Sequence, residues 1–184
     1  MFVFFLRFFN LFGTLFTFVT KDVQGKIQIL EEYASDEKCG IHYQTVQSMI
    51  KFEKESNLLK DSKRPSGART LLRLHRALQF ISTFLGEVTK LEDDHSTSSA
   101  AKVAYQGTLS KYHPWLIRQS VQVALYALPY RRVLIERVYG GKDRIPDGGS
   151  HEVNKSMTYL SNIADEVYKV TDKLYVEHNL HDLP

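Results

Sequence analysis

Asp22 and Lys26 stand four residues apart in a segment whose apolar members Leu11, Leu15, Phe18 and Ile29 fall on the same helical stripe. An acid and a base in line with apolar side chains either pair with each other at a helix edge or build a polar site into an apolar pocket. The second alternative needs partners from elsewhere, and Ser66 through Leu78 offers them. At about 100° per residue, Arg69, Arg73, Arg76, Phe80 and Phe84 lie within an arc of roughly 80°, arginines first and aromatics beyond them. Such a face suits an amphiphile with an anionic head and a hydrocarbon tail. The alternative is a solvated basic face with both Phe turned into the core. Guanidinium groups hold phosphate bidentately, and a helix N-terminus adds a favourable dipole. A third feature is Tyr112-His113-Pro114-Trp115, with Pro suited to the first helical position and His113 just outside it. The sole Trp at a helix start is either buried or a membrane-interface contact.

The elements that must position these residues are all helical. Period-3.6 patterning predicts helices at about 3–34, 43–59, 67–90, 98–107, 113–128, 130–139 and 150–178. Within 67–90, Leu71, Leu74, Leu78, Ile81 and Leu85 form the core stripe. Loop chemistry separates the helices at Ser35 to His42, Lys60 to Ser66, Leu91 to Thr97 and Gly140 to Gly149. No stretch is biased enough to serve as a domain linker and no internal repeat is visible, so residues 1–184 form one all-α domain.

Composition narrows the function classes. With 184 residues, 43% of them hydrophobic, the chain can bury a sizeable core. Cys39 is its only cysteine, which excludes an internal disulfide and a cysteine-rich metal framework and favours a reducing, cytosolic setting. The formal charge of +3 is too small for a general nucleic-acid binder. Eight of the eleven Phe lie in the first eighteen residues, where Arg7 is the only charge. That stretch has the length of a membrane span. Arg7, Asn10, Thr14, Thr17 and Lys21, however, recur as one wet stripe, which favours a buried helix of a soluble protein over a signal anchor or a cleaved signal. A membrane-anchored helical interaction protein is therefore the competing class. There is no G-x-S-x-G, P-loop or H-E-x-x-H, and nothing argues for catalysis. His178 and His181 with Glu177 and Asp182 make a poor metal set at the end of the chain. Asn154-Lys155-Ser156 is a glycosylation sequon without meaning in a cytosolic helix.

Four segments together, Phe16 to Lys26, Ser66 to Leu78, Tyr112 to Leu116 and Glu177 to Pro184, resemble the glycolipid transfer protein superfamily, and within it the members that carry ceramide-1-phosphate. The resemblance covers nearly the whole chain in the same order. It implies a two-layer all-α sandwich, here with the family's first helix missing, that shuttles one sphingolipid between membranes without metal, nucleotide or other cofactor. Asp22 is expected to accept from the ceramide amide N–H and His113 to donate to the amide carbonyl. Lys26, Arg69 and Arg73 are expected to hold the phosphate, with Arg76 contributing from behind them. Phe18, Val23, Phe80 and Phe84 are expected to line the pocket. Glycolipid-binding members carry Asn at the position of Lys26 and a sugar-stacking Trp at that of Arg69, so a glycosphingolipid is the lesser alternative. Neutral sugar would leave those cations desolvated without compensation. Tyr112 and Trp115 are expected to dock on membrane, helped by Lys60, Lys63 and Arg64 through anionic lipids. The expected setting is a cytosolic monomer in transient contact with Golgi, plasma or other intracellular membranes.

Overall fold

The computed structural model describes residues 17–61 and 63–184, with side chains in the first helix described from Val19 onward. Among the described residues seven α-helices follow one another: α1 (Thr17–Ala34), α2 (Val46–Glu55), α3 (Gly67–Val88), α4 (Ser98–Gly107), α5 (Trp115–Tyr126), α6 (Arg131–Tyr139) and α7 (Gly149–His178). Short 3-10 turns at Gly40–Tyr43, Ser110–Tyr112 and Lys142–Arg144 connect them, and an isolated bridge pairs Ser96 with Tyr130. The expected part of the first helix before Thr17, its Leu11–Leu15 stripe and the side chain of Phe18 lie outside the described residues. Among the described residues no helix is long and apolar enough to cross a membrane.

Boundaries follow local chemistry. The second helix is shorter than predicted because Thr45 and Ser48 close a capping box, with Ser48 N donating to Thr45 Oγ1 at 3.0 Å and Thr45 N to Ser48 Oγ at 3.2 Å. Asn57, at φ 56°, then turns the chain just beyond its end. The fifth helix starts two residues later than the predicted 113: Pro114 is its N-cap, and Arg118 N donates to the Pro114 carbonyl at 3.0 Å. Ser66 caps α3, accepting from Arg69 N at 3.0 Å.

Helix α3 is the centre of the two-layer sandwich, packed against α1, α2, α4 and α7. Its predicted stripe is core: Leu74, Leu78, Ile81 and Leu85 are at most 3% exposed, while Leu71 is half-buried. The opposite face is covered too, for Leu72 and His75 are buried against α7 and the chain end. One apolar cluster joins the C-terminal half of α3 to α4, α5, α6 and α7. A second, around Met49, Ile50, Ala68, Leu72 and Tyr175, joins α2, the start of α3 and the end of α7. The Tyr175 hydroxyl donates to the Ala68 carbonyl at 2.6 Å in its middle.

Glu53 is buried inside this second cluster, 1% exposed, and faces the N-terminus of α3. Its Oε1 accepts from Gly67 N at 2.6 Å and from the Tyr43 hydroxyl at 3.0 Å. Its Oε2 accepts from the Ser66 hydroxyl at 2.7 Å and Ala68 N at 3.0 Å. A carboxylate supplied by α2 thus satisfies the free N–H groups and the positive dipole end of α3. Gly67 allows the approach, since a Cβ there would stand 2.7 Å from Met49 Sδ.

Candidate functional site

Between α1, α3, α4 and α5 lies a cavity of about 540 Å³, within the range of ligand pockets, and its wall is mostly apolar. Val19, Val23, Leu74, Phe80, Val121 and Leu125 line its interior. Polar groups gather on its lining: Asp22 and Lys26 from α1, Arg73 and Arg76 from α3, and Tyr105 with His113 from α4 and the turn before α5. They come from four separate elements, so their relative placement is a property of the packing.

Asp22 and Lys26 satisfy both alternatives open to them. They form an ion pair one helical turn apart, and both line the cavity. The Lys26 side chain is 16% exposed against 66% for Asp22, so the cation is the more enclosed partner.

The arginine row divides. Arg73 and Arg76 reach the cavity. The exposed Arg73 donates from Nη2 to the main-chain oxygen of Pro184 at 3.3 Å. Arg76, half-buried, donates from Nη2 to the His181 carbonyl at 2.6 Å and lies 3.8 Å over the Tyr112 ring. Arg69 does not line the cavity; its Nη2 donates to the Asp61 carbonyl at 3.2 Å, one turn away. Nor does α3 offer the site its N-terminus, because Glu53 already occupies those donors.

Phe80 lines the cavity as expected, whereas Phe84, 3% exposed, is in the core behind it with the two rings stacked at 5.9 Å. Phe84 sits on the side of the arc nearest the Leu and Ile stripe, at a level where α3 is enclosed. Val23 is 6% exposed and lines the cavity.

His113 Nδ1 lies 2.8 Å from the Tyr105 hydroxyl. Burial holds the imidazole below its ordinary titration and the Tyr105 phenol above its own, so both are neutral near pH 7. A phenol O–H donating to Nδ1 keeps the imidazole proton on Nε2 and makes that atom a donor. Tyr105 was not among the sequence candidates, although Ala101, Ala104 and Tyr105 follow helical spacing in a way that marks an inward face. Likewise Val46, Met49, Ile50 and Glu53 follow i, i+3, i+4, i+7 spacing, which placed the buried carboxylate on an apolar stripe.

Beside the cavity the surface is unusually apolar. Trp115 is 65% exposed, Leu116 67% and Ile117 45%, with Tyr112 at 39%. Lys60 and Lys63 are exposed, while half-buried Arg64 lies 3.8 Å over the Tyr33 ring. No cluster of metal-binding side chains occurs among the described residues; His181 pairs with Asp172, its Nε2 being 3.4 Å from Oδ1.

Comparisons with known proteins find relatives along nearly the whole chain. The family model described as Glycolipid transfer protein (GLTP) matches residues 3–140. The chain is similar to the ceramide-1-phosphate transfer protein of Danio rerio, 41% identical over 184 residues that cover 97% of this chain and 83% of the relative. The Homo sapiens protein of the same description is 36% identical over 183 residues, covering 97% and 82%. Among solved structures, the apo-form of mouse ceramide-1-phosphate transfer protein superposes with a TM-score of 0.85 at 36% identity, covering 98% of this chain and 85% of the other. The human protein in complex with 12:0 ceramide-1-phosphate gives 0.80 at 37% identity, with coverage of 98% and 85%.

Proposed function

Since this chain belongs to the glycolipid transfer protein family, we propose that it carries ceramide-1-phosphate between membranes, one lipid at a time, with the phosphate at the cavity mouth and the chains inside. The observation that carries this reading is the placement of Lys26 and Arg73, with Arg76 as a third cation, on the lining of a mostly apolar cavity. A phosphate monoester bears nearly two negative charges near pH 7 and gains charge-assisted hydrogen bonds from Lys26 and Arg73. A neutral sugar would leave them without that compensation.

Asp22 accepts from the amide N–H of the ceramide, and His113 donates from Nε2 to the amide carbonyl. Tyr105 is the residue that holds the imidazole in the required tautomer. Arg69 joins the phosphate by exchanging its bond to the Asp61 carbonyl for a phosphate oxygen. Arg76 adds positive potential from beside Tyr112. The solved human complex with bound ceramide-1-phosphate supports this choice of lipid.

Extraction and release need contact with a bilayer. Exposed Trp115, Leu116 and Tyr112 insert at the interface, and Lys60 and Lys63, with Arg64, favour an anionic surface. A monomer that meets intracellular membranes from the cytosolic side fits this mode of action.

The test is transfer between vesicles by the purified chain, offered ceramide-1-phosphate, ceramide and galactosylceramide in parallel. Preferential movement of the phosphate lipid is the expected result. Faster transfer of galactosylceramide, or of none of the three, contradicts the proposal.

A further inference from the structure

Residues 179–184 turn back from α7 onto α3 and reach the arginines at the cavity mouth. Asn179, at φ 54°, reverses the chain, and Leu180 and Leu183, 5% and 7% exposed, anchor the segment in the second apolar cluster. Between and beyond these anchors the backbone presents oxygens to α3: the His181 carbonyl to Arg76 at 2.6 Å and the Pro184 main-chain oxygen to Arg73 at 3.3 Å. The His181 ring lies beside α7, its Nε2 3.4 Å from Asp172 Oδ1. The same oxygen lies 3.1 Å from Nε2 of His75, which stacks on Tyr168 at 4.1 Å. Contacts therefore run without a break from Asp172 on α7, through His181 and Arg76, to the Tyr112 ring at the mouth.

We infer that the His181–Asp172 pair is a positioning device for the headgroup site, aiming the Arg76 guanidinium so that its positive potential is already directed at the place of an anionic headgroup. The inference rests on the phosphate reading above and adds residues that contact no lipid. Arg side chains carry large rotamer entropy, and ordering one only when ligand arrives weakens binding. A main-chain carbonyl is the suitable acceptor for this purpose, since it fixes the guanidinium without cancelling its charge. A carboxylate in its place would compete with the phosphate. The carboxylate of this chain of contacts, Asp172, stands one residue further away and acts on His181 instead.

The experiment compares uptake of ceramide-1-phosphate with uptake of ceramide, which shares the chains and amide but lacks the phosphate. His181→Ala leaves Leu180 and Leu183 in place and releases the ring from Asp172. It is expected to weaken ceramide-1-phosphate binding about fivefold, part of the value of one charge-assisted hydrogen bond, with ceramide uptake unchanged. His181→Gln, whose side-chain amide can donate to Asp172, is expected to recover most of the loss. Asp172→Asn, which keeps the shape but not the charge, is expected to act in the same direction as His181→Ala and serves if that variant folds poorly. An unchanged ratio between the two lipids, or an equal fall in both, overturns the inference. If the unaltered chain itself shows no preference for the phosphate lipid, the proposed function fails first, and the two failures are distinguished in one experiment.

Discussion

Glu53→Gln changes one atom at the start of the helix that carries the arginines, and its cost can be worked from the hydrogen bonds around that atom. The carboxylate accepts four, two on each oxygen. A Gln amide keeps one oxygen and turns the other acceptor into a donor. The Tyr43 and Ser66 hydroxyls can rotate to accept from it, but a main-chain N–H cannot. Whichever way the amide lies, either Gly67 N–H or Ala68 N–H faces an NH₂ group in a buried site. An unsatisfied buried donor costs about 1–3 kcal/mol, and loss of the negative charge from the helix N-terminus adds about 0.5–1 kcal/mol. The sum, about 2–4 kcal/mol, corresponds to a fall in Tm of roughly 5–15 °C for a domain of this size. Thermal melts followed by circular dichroism measure it directly. Below the transition the variant should still bind lipid, because Glu53 does not line the cavity. A fall in Tm under about 2 °C would refute the assignment of Glu53 as the cap of α3.

Three further outcomes follow from the same geometry. Arg73→Gln should lower ceramide-1-phosphate affinity by about 1.5–3 kcal/mol, roughly 10- to 100-fold, without moving the far-ultraviolet spectrum; a loss of helix would instead make Arg73 structural. His113 and His75 both titrate below 6.5 because burial disfavours the charged form. The unfolded chain therefore binds protons that the folded chain does not, so stability is complete above about pH 6.5 and declines as pH falls below it. Urea titrations at pH 7.5 and 5.5 should show that loss, with a smaller one in His113→Gln; equal losses would remove His113 from the account. Trp115, 65% exposed, offers roughly two-thirds of about 200 Å² to a bilayer, worth at most about 3 kcal/mol of membrane affinity. Trp115→Ala should cut sedimentation with anionic vesicles accordingly, and a change of less than about twofold would show that docking uses another surface.

Most of the helical framework was legible because the core stripes are periodic and the stops are chemical: Ser66 begins α3, and Gly140, at φ 75°, ends α6 where the sequence suggests. The edges that shifted did so through the side-chain cap at Thr45 and the main-chain cap at Pro114, whose geometry the apolar period does not encode. Within the site, Asp22, Lys26 and Arg73 were legible as polar residues in line with apolar ones and His113 through the family resemblance, and all four line the cavity. Arg69 and Phe84, at the two ends of the arginine-aromatic row in chain order, do not line it. A helical wheel gives direction but not how much of a helix is covered, and α3 is enclosed on nearly every side. Tyr105 and Glu53 were present as polar members of inward stripes, but the groups they serve lie on other elements, so only the packing assigns their roles. The contacts of His181 and Asp172 with Arg76 and His75 join positions up to 105 residues apart, which no local pattern contains.

The most direct test of the central claim is a crystal structure of this chain with ceramide-1-phosphate. The phosphate should lie within about 3.2 Å of Lys26 Nζ and the Arg73 guanidinium, the amide between Asp22 and His113 Nε2, and the chains against Val23, Phe80 and Leu125. A phosphate bound away from Lys26 and Arg73, or chains lying along the outer face of α5 instead of inside the cavity, would contradict it.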